Sequence, residues 1–302
     1  MDPNLPIGVF DSGVGGLTVL RALRKRLPNE SLIYLGDTAR VPYGTKSVES
    51  ITRYATQATD HLVTRGIKLL VIACNTASAV SLDPVRDRFS PLPVVGVVEP
   101  GAAAAVAASA HQRHLVLATE STVKRHAYAR AIHALAPDAV VDEVPASLLV
   151  ALAEEGWTDG PIAESIARAY LAPALEPRES ASQKFEVQSS KFAPRQARGD
   201  VSRSNVEVRN APDTIVLGCT HFPLLEHAIR AAVGPTVTIV DSATTTAERV
   251  ATLLDEQHLR RTAAEPPTLT LLATDGAERF ARVGARFLGE AIKASDIEIV
   301  DL

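Results

Sequence analysis

Short apolar runs alternate with amphipathic segments along most of the chain. The runs have the length of buried strands, and the segments between them repeat apolar residues at helical spacing. The predicted strands cover residues 7–10, 32–35, 71–73, 94–98, 115–118, 139–142, 215–217, 237–241, 269–273 and 297–300. Strands that alternate with helices predict parallel sheets joined by right-handed crossovers. The predicted fold class is therefore α/β.

Two parts of the chain repeat one plan. In each part an apolar run ends in a cysteine, Cys74 or Cys219, and small hydroxyl or amide residues follow it. The length of 302 residues also favours two domains over a single core. We expect two pseudo-symmetric parallel-sheet α/β domains that face each other across an active-site cleft. Residues 1–98 plus 243–302 form the first domain, and residues 99–242 form the second.

The second domain contains a segment of different composition at about residues 177–212. Leu and Ile are absent from it, and Ser, Arg, Gln and Asn are frequent. Such a composition cannot bury enough apolar surface to offset the entropy lost on ordering the chain. We expect a polar surface insertion, either without regular structure or as a two-stranded hairpin.

Charge and composition argue against several classes of partner. The formal net charge is −4 and aromatic residues make up 4% of the chain, so a nucleic-acid-binding surface is not predicted. No apolar run approaches about 18 residues, so we expect no membrane span. The N-terminus lacks the basic and apolar regions of a signal peptide. Together with two widely spaced cysteines, this predicts free thiols in the cytoplasm.

The carboxyl ends of the predicted strands carry the candidate chemistry. Asp11, Asp37, Cys74 and Glu99 each follow a strand, and open parallel sheets bind their ligands beyond these ends. We expect one pocket to collect several of these side chains. A thiol at the start of a helix also faces unpaired N–H groups and the positive end of the helix dipole, which favour the thiolate.

One histidine stands apart from the others. His221 follows Cys219 by two residues, where an imidazole can orient a thiolate or exchange a proton with it. Polar neighbours predict a surface position for the histidines at 111, 114, 126, 133 and 258. Cys219 and His221 are close in the sequence, but a zinc site needs about four ligands at short spacing and no other Cys/His cluster exists, so we predict no metal site.

The glycine-rich turn at residues 13–18 nearly matches the dinucleotide fingerprint G-x-G-x-x-G. Asp37 follows at about the distance of a ribose-binding carboxylate, so a nicotinamide-dependent oxidoreductase is an alternative. However, Thr18 stands at the last position of this fingerprint, where Gly or Ala is required. The negative charge of Asp11 at the mouth of the loop would also repel a pyrophosphate. The loop can instead direct its N–H groups at a small carboxylate.

Four blocks of the chain resemble glutamate racemases. They are GVFDSGVGGL (8–17), YLGDTARVPYG (34–44), ACNTAS (73–78) and LGCTHFPLL (217–225). Their order and spacing match the family across nearly the whole chain. The exception is the segment at 177–212, which is longer than we expect for the family.

The resemblance implies cofactor-independent racemisation of glutamate by two cysteines in a cleft between two domains. In the pattern of the family, Cys74 acts on the D-enantiomer and Cys219 acts on the L-enantiomer. Asp11 then assists near Cys74, and His221 assists near Cys219. The physical demand is clear, because a racemase must remove the α-proton from one face and deliver a proton to the other.

The resemblance also implies a wider set of site residues. A glutamate belongs near Cys219, and its counterpart is Glu154, with Glu155 as the alternative. The substrate-binding residues that the resemblance implies are Asp11, Ser12, Tyr43, Gly44, Asn75, Thr76, Thr122, Thr220 and His221.

The resemblance further implies a bacterial enzyme that supplies D-glutamate for peptidoglycan synthesis. Glutamate is the expected small-molecule partner, and neither a cofactor nor a metal is expected. Three alternatives stay open: an aspartate racemase on the same scaffold, the oxidoreductase, and a non-catalytic protein that binds a partner through its insertion. The sequence leaves the oligomeric state open, with a homodimer as one option.

Overall fold

Two parallel β-sheets form the framework of the computed structural model, which describes residues 1–175 and 211–302. The strands in this part of the chain are β1 (Ile7–Asp11), β2 (Leu32–Gly36), β3 (Leu69–Ile72), β4 (Val94–Gly96), β5 (Arg113–Ala118), β6 (Val140–Pro145), β7 (Thr214–Gly218), β8 (Thr238–Asp241), β9 (Leu269–Ala273) and β10 (Ile297–Ile299). The larger sheet has the order β10-β9-β2-β1-β3-β4, and the smaller has the order β6-β5-β7-β8. Neighbouring strands are parallel throughout, so the predicted fold class is confirmed.

Helices connect the strands, as the alternating pattern predicted. They are α1 (Leu17–Arg26), α2 (Val48–Thr64), α3 (Asn75–Phe89), α4 (Val98–Ala108), α5 (Glu120–Lys124), α6 (Ala127–Leu135), α7 (Leu148–Glu155), α8 (Pro161–Leu175), α9 (Glu226–Val233), α10 (Ser242–Glu256) and α11 (Ala277–Leu288). Side-chain caps define several of their starts. Ser47 accepts the N–H of Ser50 before α2, and Asp241 accepts the N–H groups of Ala243 and Thr244 before α10.

One hydrophobic core is continuous between the two sheets. Val9 and Val71 of the larger sheet belong to the same buried cluster as Leu117 and Leu217 of the smaller sheet. Helices α1 and α10 pack against each other and contribute to this cluster. Because successive side chains of a strand point to opposite faces, Phe10 instead joins a second core with α2 and α3.

The domain boundaries at 98/99 and 242/243 stay predictions, although each sheet uses the segments assigned to it. The larger sheet takes its strands from residues 7–96 and 269–299, and the smaller from residues 113–145 and 214–241. The insertion predicted at 177–212 lies outside the described residues, apart from Ala211 and Pro212.

Two local expectations were wrong. The strand predicted at 94–98 ends at Gly96, and α4 begins at Val98 because the alanine-rich stretch that follows favours a helix. Glu99 therefore lies exposed on α4, where it pairs with Arg86 at 2.8 Å, and it takes no part in a strand-end pocket. His114 was expected at the surface, but it lies within β5 and its side chain is buried.

The length and apolar character of the described helices show whether any of them could span a membrane. None of those in residues 1–175 and 211–302 is both long enough and apolar enough to cross a bilayer.

A buried ion pair joins the start of the chain to the larger sheet. The Lys68 ammonium, next to β3, lies 2.5 Å from Glu30 Oε2 and also donates to the Pro3 carbonyl oxygen at 2.5 Å. The other Glu30 oxygen accepts the backbone N–H of Arg261 at 2.9 Å. Both charged side chains are almost fully excluded from solvent, and burial lowers the pKa of Lys68.

We predict that Lys68→Met lowers the free energy of unfolding by about 3–5 kcal/mol, because Glu30 is left buried without its counter-ion. The double variant Lys68→Met/Glu30→Gln should recover at least half of this loss, since no unpaired charge remains. Urea denaturation of both variants measures the difference. Equal destabilisation of the single and double variants would contradict the account.

Candidate active site

The first side of the site is built at the end of β1. Asp11 is the last residue of this strand and is only 1% exposed. Its Oδ2 accepts the backbone N–H of Gly13 at 2.9 Å, and the Tyr34 hydroxyl lies 3.3 Å away. Burial raises the pKa of Asp11, although the backbone N–H groups of the glycine turn and the charge of His221 oppose the rise.

Cys74 lies beside Asp11, in the turn between β3 and α3. The residue caps α3, and its Sγ accepts the backbone N–H of Ala77 at 3.4 Å. Burial, followed by the charge of Asp11, raises the pKa of the Cys74 thiol to about 12, against the opposing hydrogen bonds from Ser12 and Ala77. In this structure the helix start does not outweigh burial, so Cys74 is a protonated thiol.

The second side is built at the end of β7. Cys219 follows this strand and is buried, with its Sγ 3.7 Å from His221 Nδ1. The other ring nitrogen of His221 lies 3.1 Å from Glu154 Oε1. Burial acts to lower the pKa of His221, but the hydrogen bonds and charges of Cys219 and Glu154 outweigh it and raise the pKa to about 10. His221 is therefore an imidazolium at neutral pH.

The structure distinguishes the two candidate glutamates by position. Glu154 lies at the end of α7 with its carboxylate on His221, and Glu155 next to it is exposed to solvent. The hydrogen bond from His221 lowers the pKa of Glu154, despite its partial burial. The ionised carboxylate and the imidazolium thus form a charge pair behind Cys219.

The two sides meet at the glycine-rich loop between β1 and α1. A Cβ at Gly15 would lie 2.4 Å from both His221 Cε1 and Thr220 Oγ1, so this position excludes any side chain. The Thr18 hydroxyl donates to the Gly15 carbonyl oxygen at 2.9 Å and to the Thr220 carbonyl oxygen at 3.1 Å. Thr18 and Gly15 therefore hold the loop after β1 against the Cys219-bearing end of β7. This packing of the loop also argues against its use as a pyrophosphate cradle.

Hydroxyl and amide groups line the contact between α3 and α5. The Thr76 and Thr119 hydroxyls are 3.0 Å apart, and the Thr119 and Thr122 hydroxyls are 3.1 Å apart. Asn75 Oδ1 accepts the Tyr128 hydroxyl at 2.7 Å. The structure thus brings together three predicted residues, Asn75 and Thr76 of α3 and Thr122 of α5.

The loop that carries Tyr43 and Gly44 is held by Asp37. The Tyr43 hydroxyl donates to Asp37 Oδ2 at 2.5 Å, and Arg40 Nε lies within 2.9 Å of both carboxylate oxygens. A third contact comes from the Thr274 hydroxyl, which donates to Asp37 Oδ1 at 3.0 Å. Asp37 is fully buried, so this network fixes the position of Tyr43.

Sequence reasoning missed Thr119 and Tyr128 as site residues. Thr119 directly follows β5, at the same strand edge as the other candidates, so the edge rule could have included it. Tyr128 lies on α6 and gave no comparable signal, because its spacing is that of an ordinary buried helix position.

A metal ion in the candidate site would need several ligating side chains close together. Within residues 1–175 and 211–302, no group of three or more His, Cys, Asp or Glu side chains is placed to hold a metal ion.

Known proteins resemble this chain along nearly its whole length. The family model described as Asp/Glu/Hydantoin racemase matches residues 15–174. A glutamate racemase of Syntrophus aciditrophicus is 43% identical over 95% of this chain and 94% of its own length. A glutamate racemase of Geobacter metallireducens is 44% identical over 98% of this chain and 96% of its own length.

Solved structures agree with these matches. Glutamate racemase from Francisella tularensis, crystallised with D-glutamate, aligns with a TM-score of 0.81 at 32% identity and covers 99% of this chain and 98% of its own. The enzyme from Thermus thermophilus aligns with a TM-score of 0.78 at 36% identity, over 100% and 99% of the two chains. An aspartate racemase from Picrophilus torridus, at 13% identity and a TM-score of 0.53, shares the fold alone. The chain belongs to the glutamate racemase family.

Proposed function

We propose that this protein interconverts L- and D-glutamate without a cofactor, with Cys219 acting on the L-enantiomer and Cys74 on the D-enantiomer. One observation carries the proposal. Two buried thiols follow strands of the two different sheets, close enough that the charge of Cys219 affects the pKa of Cys74, and each has its own ionisable neighbour, Asp11 or His221. Membership of the glutamate racemase family supports the reaction, and the Francisella tularensis structure with D-glutamate supports the ligand.

Unpaired polar atoms support a binding mode for the substrate. Among the described residues, Asp11 Oδ1 and Asn75 Nδ2 are buried without a hydrogen-bond partner, which is uncommon in folded proteins. The substrate ammonium would donate to Asp11 Oδ1, and the α-carboxylate would accept from Asn75 Nδ2. The hydroxyls of Thr76 and Thr122 lie close enough to Asn75 in the fold to share in binding.

The remaining predicted substrate contacts would surround the substrate in this position. They are Ser12 beside Cys74, Tyr43 and Gly44 in the loop held by Asp37, and Thr220 and His221 beside Cys219. Exclusion of water by these side chains would strengthen each electrostatic contact with the developing negative charge.

Proton transfer then needs one thiolate and one thiol. The Cys219 thiolate takes the α-proton of L-glutamate, and the electron pair of the broken C–H bond moves toward the α-carboxylate. The Cys74 thiol gives its proton to the opposite face of the α-carbon. D-glutamate leaves, Cys219 is now the thiol, and Cys74 is the thiolate. Conversion of D-glutamate runs the same steps backwards.

Charges on the two sides suit these starting forms. The raised pKa of Cys74 keeps its proton available for donation. The His221 imidazolium, paired with Glu154, lies where it stabilises a negative charge on Cys219. The proton on Cys74 and the positive charge of His221 thus match the forms that conversion of L-glutamate requires.

The product suggests a place in the cell. D-glutamate is consumed in peptidoglycan synthesis, which takes its small precursors from the cytoplasm. We therefore infer a cytoplasmic enzyme of cell-wall synthesis.

The function predicts loss of optical activity from either enantiomer of glutamate without any added cofactor. Circular dichroism should follow both reactions to the same racemic end point. Aspartate should react about 10–200-fold more slowly, because one missing methylene weakens binding in the transition state by that order. A protein that leaves glutamate unchanged, or that needs a nicotinamide cofactor, would contradict the proposal.

The variants Cys74→Ser and Cys219→Ser serve as matched controls for this assay. Each should lower the racemisation rate by at least about 10³-fold, because an alcohol is a poor base and a weak acid near neutral pH. Racemisation at nearly the rate of the unmodified protein in either variant would exclude the two-thiol scheme.

The pKa of His221 gives a further prediction. Its ring should titrate near pH 10, carrying its charge below that pH and losing it above. Glu154→Gln should lower the midpoint by about one unit or more, because a nearby negative charge that stabilises the imidazolium is removed. Glu155→Gln is the control and should leave the midpoint unchanged. Histidine ring NMR follows the titration, and equal effects of the two substitutions would refute the assignment of Glu154.

A further inference from the structure

Helix α11 contacts the Cys219 side of the site although it connects two strands of the larger sheet. It lies between β9 and β10 in the chain, whereas Glu154 and His221 flank strands of the smaller sheet. Three of its side chains, those of Arg279, Arg286 and Phe287, reach Glu154 or His221. Residues seven and eight positions apart share one helix face, so a single face makes all three contacts.

Arg279 binds the carboxylate oxygen of Glu154 that faces away from the imidazole. Its Nη2 lies 2.6 Å from Glu154 Oε2, while Glu154 Oε1 lies 3.1 Å from His221 Nε2. The carboxylate is thus shared between a guanidinium and an imidazolium, one on each oxygen. With one oxygen held by Arg279, rotation of the carboxylate away from His221 is opposed.

Arg286 fixes the backbone of the same residue. Its Nη1 donates to the Glu154 carbonyl oxygen at 2.6 Å. The guanidinium passes so close to Gly156 that a Cβ there would lie 2.7 Å from Arg286 Cζ, and Gly156 also has a φ of 80°. The absence of a side chain at Gly156 therefore leaves room for the Arg286 guanidinium next to the end of α7.

Phe287 completes the contact by packing on the imidazole itself. The two rings meet edge to face, with centroids 5.0 Å apart and an interplanar angle of 75°. The ring plane of His221 is thus constrained by Phe287, and its Nε2 direction is constrained by Glu154.

We propose that Arg279 is a positioning residue for the Cys219 half of the reaction, acting through Glu154 on His221. The inference rests on the proposed function and adds that one half-reaction depends on a helix of the larger sheet. Arg279 reaches neither thiol itself. Its removal lets the Glu154 carboxylate turn toward solvent, so His221 less often holds the orientation in which it supports the Cys219 thiolate.

A change confined to one half-reaction has a distinct kinetic signature. Because the equilibrium constant of racemisation is 1, kcat/KM must fall equally in both directions and cannot reveal which thiol is impaired. The isotope effect on breaking the Cα–H bond can do so. If transfer at Cys219 becomes slower, the isotope effect with 2-deuterated L-glutamate rises, because Cys219 breaks that bond. With 2-deuterated D-glutamate the isotope effect falls. Cys74 breaks the labelled bond in that direction, and the later proton donation by Cys219 then limits the rate.

The test compares Arg279→Gln, Arg279→Lys and the unmodified protein with both deuterated enantiomers. We expect Arg279→Gln to lower kcat/KM by about threefold to tenfold, as loss of one charge-assisted contact does. The ratio of the L isotope effect to the D isotope effect should rise. Arg279→Lys should restore part of both quantities, because it keeps the positive charge.

Arg282→Gln is the matched control on the same helix. Arg282 is exposed and makes no hydrogen bond or ion pair with residues in the described ranges, so neither its rate nor its isotope effects should change. The Arg279 side chain is 57% exposed, so its substitution should leave the fold intact, which far-ultraviolet circular dichroism checks.

Two results would overturn the inference. One is an Arg279→Gln enzyme with unchanged kcat/KM. The other is a slower enzyme in which the L and D isotope effects keep their original ratio, since that would indicate a general loss of structure. Both results leave the proposed function standing, because that function fails only if the unmodified protein does not racemise glutamate.

Discussion

The active site depends on one close contact, between the glycine-rich loop of the larger sheet and the end of β7 in the smaller one. A Cβ at Gly15 would lie 2.4 Å from the His221 ring, and the Thr18 hydroxyl reaches the Thr220 carbonyl oxygen. The loop begins at Asp11, and the strand end carries Cys219. This contact therefore sets the distance between Asp11 and the Cys219–His221 pair, and a larger side chain at Gly15 would separate them.

The two halves of the site are built alike but carry opposite charge. Cys74 lies beside the carboxyl group of Asp11, whereas Cys219 lies beside the imidazolium of His221. A negative neighbour favours a thiol and a positive neighbour favours a thiolate. The proposed two-base mechanism needs one of each before substrate binds. The different neighbours of Cys74 and Cys219 thus supply the asymmetry that two identical half-sites would lack.

Most of this arrangement could be predicted from the sequence. Buried strands are recognisable as apolar runs, and the carboxyl ends of parallel strands lie at the same edge of a sheet. The approximate strand positions and the proximity of Asp11 and Cys74 followed from that rule. The prediction failed at Glu99, where helix propensity shortened β4. It was silent on Arg279, because that arginine reaches Glu154 across 125 positions of sequence through the packing of two distant helices.

The most direct test of the central claim follows hydrogen at the α-carbon. L-glutamate is incubated with the protein in D2O, the reaction is stopped at low conversion, and the separated enantiomers are analysed by mass spectrometry. Two thiols on opposite faces predict that the D-glutamate formed carries deuterium at the α-carbon, while the recovered L-glutamate keeps its original hydrogen. Product that retains the substrate hydrogen would contradict the account, since a single group would then serve both faces.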